Sequence, residues 1–401
     1  MKLAVYHNQP PGGARRVLHG FGQELARRHD IDVFTPATAD DRMLHDTDYA
    51  SSVLRLDFAP RAFVRMGFYL NDRRRIATLA DLDRVNAEAA AAIDAGGYDA
   101  VLVDTCQITF APQILRHLRT PAVHYCHHGS WRADDIDGGS GRSPYEAIRN
   151  LLHRPFERDY LARLRRQDRE LVGRAAAVVT NSAYTAGRLL EATGVQATVC
   201  PPGVTLAPAR VGMAGDHVLA VGDFVPHKGH ELVIAALGLV PGRVRPPLHI
   251  VGNQGGRHYE ARLARLAADR DVELTMRVGV SEAELEGEFG GATLLASGSR
   301  HEPLGLAPLE AMARGLAVVA VREGGVKETV VDGQTGFLVA ADAGAMGDRL
   351  ARLIDDPALR DRMGAEGRSV VEARWTWPER ARALEGLLVA VAGGRPAEVA
   401  G

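Results

Sequence analysis

Cysteine is scarce in this chain. Its 401 residues include three, Cys106, Cys126 and Cys200, far apart and odd in number. Neither a disulfide framework nor a CxxC metal site can be built from them, and a reducing compartment fits. Lysine is equally scarce: Lys2, Lys228 and Lys327 stand alone among 48 cationic side chains. Against that arginine background, the two internal lysines mark places where a compact ammonium is wanted. An excess of one charge is also missing. Lys+Arg is 48 and Asp+Glu is 50, so the basic surplus of a nucleic-acid binder is absent. No run approaches the ~20 apolar residues of a membrane span. The opening MKLAVYHNQPPGG lacks the apolar length of a signal peptide. A cytoplasmic protein is expected, with no nucleic-acid partner and at most peripheral membrane contact.

Hydrophobic residues make up 46% and charged residues 24%, a soluble globular composition. The length calls for two domains. Short β-branched apolar runs alternate with longer Ala/Leu/Arg stretches of helical period, the mark of parallel sheets covered by helices. Strands are expected at Leu3–Tyr6, Ile31–Thr35, Ala100–Asp104, Ala122–Cys126, Ala176–Asn181 and Ala197–Cys200. A second set follows at Val218–Val221, Leu248–Val251, Val272–Val278, Ala292–Ala296, Ala317–Val321 and Gly336–Val339. Helices are expected between them, among them Ala14–Arg28, Asp81–Ala95, Glu231–Leu237, Tyr259–Ala268 and Ala307–Arg314. The fold class is α/β, with two doubly wound units in series. Their junction is expected at Cys200-Pro201-Pro202-Gly203, which can continue neither a helix nor a central strand. The expected domains are 1–200, 201–377 and a closing segment 378–401, whose helix begins near Pro378. Residues 133–143 read as a polar loop and 145–171 as Arg-rich helix.

Three loops carry chemistry, each at the carboxyl end of an expected strand, where open α/β sheets bind ligands. The first, GDFVPHKGHE, holds Gly222, Lys228 and Gly229; its lysine can meet phosphates as a point charge. The second, SGSRHEPLGLAPLE, places Glu302 in a loop and Glu310 in the helix beyond it. Gly305 and Leu306 lie between them at the helix start, a natural diphosphate seat. The third, Arg322-Glu323-Gly324-Gly325, has glycines able to present N–H groups to an anion. A solvated loop glutamate and a helix-surface glutamate are the plain alternative for Glu302 and Glu310.

These motifs, with PPGGARRVLHGFGQELARR near the start, EGGVKETVVDGQTGFLV, and WTWPERARALEGL at the end, resemble the retaining glycosyltransferases of family 4. The resemblance covers nearly the whole chain. It implies the GT-B fold, two Rossmann-like domains facing across a cleft, with the last helix crossing back to the N-terminal domain. It also implies a nucleotide-sugar donor (UDP- or GDP-linked, GDP-mannose included) bound by the C-terminal domain, and an acceptor handled by the N-terminal one. By the same resemblance Glu310 would hold the ribose, Glu302 the donor sugar, and Lys228, Gly305 and Leu306 the diphosphate. Gly12, Gly13 and Gly222 would line the donor site, and His127 in HYCHHGSWR, with His128 second, would meet the sugar. Catalytic roles would fall to Glu302, His127 and Lys228, with no cofactor and no metal. Asp223 stands where the family usually has arginine; either Arg322 or Lys327 compensates or donor binding differs.

Metal ligation by His124, His127 and His128 competes with this, as does the Asp-x-Asp within Asp134-Asp135-Ile136-Asp137; neither has the surroundings of a metal site. GxGxxG is absent, since HGFGQE falls within an expected helix. The remaining alternatives are a sugar-nucleotide epimerase on the same scaffold and a non-catalytic sugar-nucleotide-binding accessory protein. The acceptor stays open among glycans, lipid-linked sugars and small natural products. A basic, apolar patch of Arg61, Phe63, Arg65, Phe68, Tyr69 and Arg73–Arg75 is a candidate for docking a membrane or lipid-diphosphate, or an ordinary helix with a solvated arginine face.

Overall fold

The computed structural model describes residues 1–10, 12–39, 44–62, 68–128, 159–208 and 215–395. The chain divides into two compact units, Met1–Pro202 with Arg380–Gly401, and Gly203–Glu379. Each is built on one parallel sheet.

The first sheet has strands β1 (Lys2–Asn8), β2 (Asp30–Pro36), β3 (Ser52–Leu56), β4 (Ala100–Cys106), β5 (Ala122–Cys126), β6 (Ala177–Thr180) and β7 (Thr198–Val199). Their order across the sheet is β3-β2-β1-β4-β5-β6-β7. The second has β8 (His217–Val221), β9 (Leu248–Gly252), β10 (Leu274–Val278), β11 (Ala292–Ser297), β12 (Val318–Val321) and β13 (Gly336–Val339). Its order is β10-β9-β8-β11-β12-β13. In both, chain order reverses beside the first strand, between β1 and β4 and between β8 and β11. Loops leaving the carboxyl ends at such a reversal splay apart and open a crevice.

The central strands are apolar because helices cover both faces. All seven residues of β4 are buried. In β8, Val218 and Ala220 enter one core while Leu219 enters the core on the opposite face, the period-2 alternation of a pleated strand. The strand β3 was not expected. Its SVLRL reads half exposed because, among the described residues, it is an edge strand paired only to β2. The helix expected at Asp81–Ala95 runs from Phe68. Of the Arg-rich stretch, residues 159–172 are helical and 145–158 lie outside the described residues.

After the first unit, Gly203 passes so close to Trp377 that a Cβ on it would lie 2.5 Å from the Trp377 nitrogen. Trp375 is buried in the second unit's core. The closing helix, Trp377–Ala392, buries Ala381, Leu384, Leu387, Leu388 and Val391. From Arg380 onward it belongs to the first unit, where Glu385 meets His29 at 2.8 Å and Arg28 at 2.9 Å.

Candidate functional site

Two glycines sew the loop after β8 to the loop after β11. Gly229 has a φ of 65°, and a Cβ on it would lie 2.0 Å from the Gly298 carbonyl oxygen; a Cβ on Gly298 would lie 2.2 Å from that of Gly229. Only hydrogen fits at either place. The Arg300 amide then donates to the His227 carbonyl at 2.9 Å. This crossing brings Lys228 and Glu302, 74 residues apart, into an ion pair with Nζ 2.8 Å from Oε2. The Ser299 hydroxyl donates to the same carboxylate at 2.5 Å. Burial opposes ionisation of Glu302, but the Lys228 ammonium and the Ser299 hydroxyl outweigh it and hold the carboxyl below its usual range. Both side chains stay partly exposed, 24% and 21%, so a ligand can reach the pair.

The loop after β12 supports Glu302 from beneath. A Cβ on Gly324 (φ 75°) would lie 2.3 Å from the Glu302 carbonyl oxygen, and one on Gly325 2.2 Å from that of Pro303. The Gly325 amide donates to the Glu302 carbonyl at 2.8 Å. That N–H therefore braces the loop and is not offered to an anion, contrary to expectation. Arg322 is held by the Asp332 carboxylate, and Lys327 is exposed on the short helix Val326–Thr329.

Next to the Lys228–Glu302 pair begins the helix Leu306–Ala313. Its N-cap is Gly305, φ 94°, with no side-chain cap. The first N–H groups of a helix, here those of Leu306 and Ala307, have no intrahelical acceptor and sit at the positive end of the helix dipole. Glu310 is buried on this helix, and its carbonyl accepts from the Arg314 guanidinium at 2.6 Å. Glu302, Lys228, Gly305, Leu306 and Glu310 thus occupy one region at the carboxyl ends of β8 and β11. Gly222 joins them, since a Cβ there would lie 3.1 Å from Lys228 Cδ.

Asp223 has a definite task. Its Oδ1 accepts the amides of Asn253 at 3.0 Å and Gln254 at 3.1 Å. Phe224 donates back to the Gln254 carbonyl at 2.9 Å. The carboxylate thereby fastens the loop after β9 to the loop after β8, a job arginine, which has no acceptor, cannot do.

In the first unit, Gly12 (φ 150°) is the N-cap of the helix Gly13–Ala26, at the turn after β1. At the end of β5, His127 is buried and its Nε2 lies 3.0 Å from Asp104 Oδ1, within ion-pair range but off the hydrogen-bonding direction. Burial would raise the Asp104 carboxyl. The His127 imidazole and a 2.9 Å hydrogen bond from the Gln9 amide hold it down instead. His128 is exposed and packs edge-on against Phe110. His124 is fully buried, with Nδ1 on the Val103 carbonyl at 3.0 Å, so it is a core residue that does not join His127 and His128. The aspartates 134, 135 and 137 lie outside the described residues, as do Phe63 and Arg65. Arg61 of the basic patch is paired with Asp81 at 2.7 Å.

One cluster was missed. At the end of β1, His7 Nε2 lies 3.0 Å from Asp46 Oδ2, Arg15 reaches Asp46 Oδ1 at 2.7 Å, and the Tyr49 hydroxyl donates to Asp46 at 2.8 Å. Arg15 is 1% exposed. Burial works against the Asp46 charge, but His7 and Arg15 overcome it and hold its pKa far below the usual range. The only sequence signal was position: Arg15 shares its helix face with buried Leu18 and His19.

Comparison with known proteins places the chain. Residues 11–207 match the model for Glycosyltransferase Family 4, and residues 214–370 match that for Glycosyl transferases group 1. The chain belongs to glycosyltransferase family 4. Among its relatives is the GDP-mannose-dependent alpha-(1-6)-phosphatidylinositol monomannoside mannosyltransferase of Mycolicibacterium smegmatis. It is 35% identical over 54% of this chain and 63% of the relative. The D-inositol 3-phosphate glycosyltransferase of an Arthrobacter species is 32% identical over 54% of this chain and 56% of its own. The matches thus span less than two thirds of these curated relatives. Solved structures with the same fold include sucrose-phosphate synthase from Thermosynechococcus elongatus, with TM-score 0.74, 21% identity, and coverage of 98% and 100% of the two chains. Anabaena HepE in complex with UDP and glucose gives 0.70 at 17% identity, covering 97% and 100%. The family 4 chain has the GT-B fold, two parallel-sheet α/β units of seven and six strands.

Proposed function

We propose that this family 4 protein is an enzyme that moves a hexose from a nucleoside diphosphate sugar to an acceptor hydroxyl, with retention at the anomeric carbon and without a metal ion. The observation that carries this is the Lys228–Glu302 ion pair beside the uncapped tip of Leu306–Ala313. A diphosphate approaching that tip would meet the first N–H groups of the helix and an ammonium. As the bond between the anomeric carbon and the diphosphate breaks, its electron pair goes to the leaving oxygen, and these donors stabilise the growing charge. The acceptor oxygen bonds to the same face, and its proton passes to the departing phosphate. Glu302, released from Lys228 by the phosphate, is free to accept sugar hydroxyls, and Glu310 holds the ribose.

One relative is named as GDP-mannose-dependent and acting on a phosphatidylinositol mannoside, and another as acting on inositol phosphate; these make GDP-mannose the first donor to try, ahead of UDP-sugars. They make a polyol or lipid-linked glycan the first acceptor class, reached from the cytoplasmic side. A thermal-shift screen of nucleotide sugars, then acceptor screening by mass spectrometry with NMR of the product's anomeric proton, tests this. Acceptor-dependent nucleotide release with an axial-to-axial outcome is expected. Epimerisation without acceptor, or no acceptor-dependent release, rejects it.

A further inference from the structure

At the other end of the second sheet, His217 opens β8 and His249 lies one residue into β9. Glu288 faces both from the helix Glu282–Gly291. Glu288 Oε2 is 2.7 Å from His249 Nδ1 and 3.5 Å from His217 Nε2, and the donor atoms of the trio all lie within 4.8 Å of one another. Ligands on a tetrahedral ion with bonds of ~2.0–2.1 Å sit about 3.3 Å apart, so this spacing suits a single ion.

The surroundings are built. His217 Nδ1 is 2.6 Å from Asp216 Oδ1, the carboxylate–histidine partnership that orients a metal-bound imidazole. Glu288 Oε1 is held at 2.7 Å by Arg277, leaving Oε2 for the ion. Gly291 makes room for the ring: a Cβ there would lie 2.9 Å from His217 Cε1. Both His217 nitrogens face oxygen acceptors, since Nε2 also lies 3.1 Å from the Glu288 carbonyl. A neutral imidazole has one N–H and cannot satisfy both sides. A cation on the Nε2 side can.

We propose that His217, His249 and Glu288 bind one transition-metal dication of the Zn2+ or Co2+ kind, at a site separate from sugar transfer. Two imidazoles and one carboxylate select such ions over Mg2+. The five residues of β8 put about 13 Å of strand between this end and the Lys228 loop. The ion would tie two strands to a helix. The rings now stack at 3.9 Å, so loading requires one to turn edge-on. His249, with a quarter of its side chain exposed, has the room.

Chelator-treated protein titrated with Co2+ should take one ion per chain, with a visible d–d absorption band that Zn2+ abolishes. Zn2+ should raise the Tm and shift the His249 ring resonances, while Mg2+ does neither. His249→Ala keeps the Asp216–His217 and Arg277–Glu288 contacts, so it should fold and bind Co2+ at least tenfold more weakly. The chain has 15 histidines, so this variant also separates the site from scattered binding. No Co2+ band and no Tm response in the wild type, or unchanged binding in His249→Ala, overturns the proposal.

Discussion

Lys228 Nζ and Glu302 Oε2 stand 2.8 Å apart, so the ammonium expected to hold a diphosphate is already neutralised by the carboxylate expected to hold the sugar. On the function proposed above, donor binding at this site would be an exchange of partners, the diphosphate displacing a carboxylate from lysine and the freed carboxylate taking up hydroxyls.

That exchange separates two variants. Lys228→Ala should weaken nucleotide-sugar binding by about 10–100-fold, roughly 1.4–2.8 kcal/mol. Glu302→Gln should bind the nucleoside diphosphate alone as well as the wild type or better, yet turn over at least 100-fold more slowly. Calorimetric titration and initial rates measure both. Equal loss of diphosphate affinity in the two variants would contradict the exchange.

The glycine crossing should be intolerant. Gly229→Ala demands a left-handed conformation and a Cβ 2.0 Å from the Gly298 oxygen. Overpacking of this kind costs about 1–3 kcal/mol, and it drives the Lys228 loop away from Glu302. A lower Tm with kcat/KM falling more than tenfold is expected. Gly242→Ala, whose Cβ would meet nothing within 4 Å, is the control and should stay near wild type.

Asp223→Ala should release the loop after β9. Hydrogen exchange at the Asn253 and Gln254 amides, both now bonded to Asp223, should accelerate. Asp223→Arg should do the same and gain no donor affinity. Unchanged exchange at those two amides would remove the anchoring role.

Asp168 carries a pH prediction. It is buried; among the described residues its Oδ1 accepts only the Ala111 amide, at 3.3 Å, and its Oδ2 has no partner, and burial pushes its carboxyl up to about 7. The folded state therefore holds a proton that the unfolded chain releases near pH 4. Stability is full below that unfolded value and declines as pH rises toward 7. The loss should reach about 4 kcal/mol at pH 8, roughly three pKa units at ~1.4 kcal/mol each. Denaturation midpoints should fall from pH 5 to 8 in the wild type, and this slope should flatten in Asp168→Asn. An identical slope in both would dismiss Asp168 as its source.

Much of the fold was legible because buried parallel strands announce themselves as apolar runs. Strands β5 and β13 follow their expected bounds residue for residue. The strand β3 was not legible because an edge strand needs few apolar side chains, and SVLRL shows it. The loops were legible as glycine-rich segments at strand ends, but not their crossings. Nothing local in GHE or SGS says that Gly229 and Gly298 touch, and the Lys228–Glu302 pair follows from that touch. Asp223 looked like a defect beside the family pattern because its acceptors' partners, the amides of Asn253 and Gln254, lie on another strand's loop. The buried His7–Arg15–Asp46 cluster was hidden for a similar reason, since an arginine in a helix reads as surface until its partner is known.

The second unit is bounded on both sides by the first, from Pro202 to Gly203 and from Glu379 to Arg380. Topologically it is a guest inserted in a host whose last helix is supplied only after the guest is complete. During synthesis the host must wait for Ala381, Leu384 and Leu388 to emerge before its own surface is sealed, while the guest already has its whole sequence. A stop codon just before Arg380 would accordingly damage the unit encoded first and spare the one encoded last.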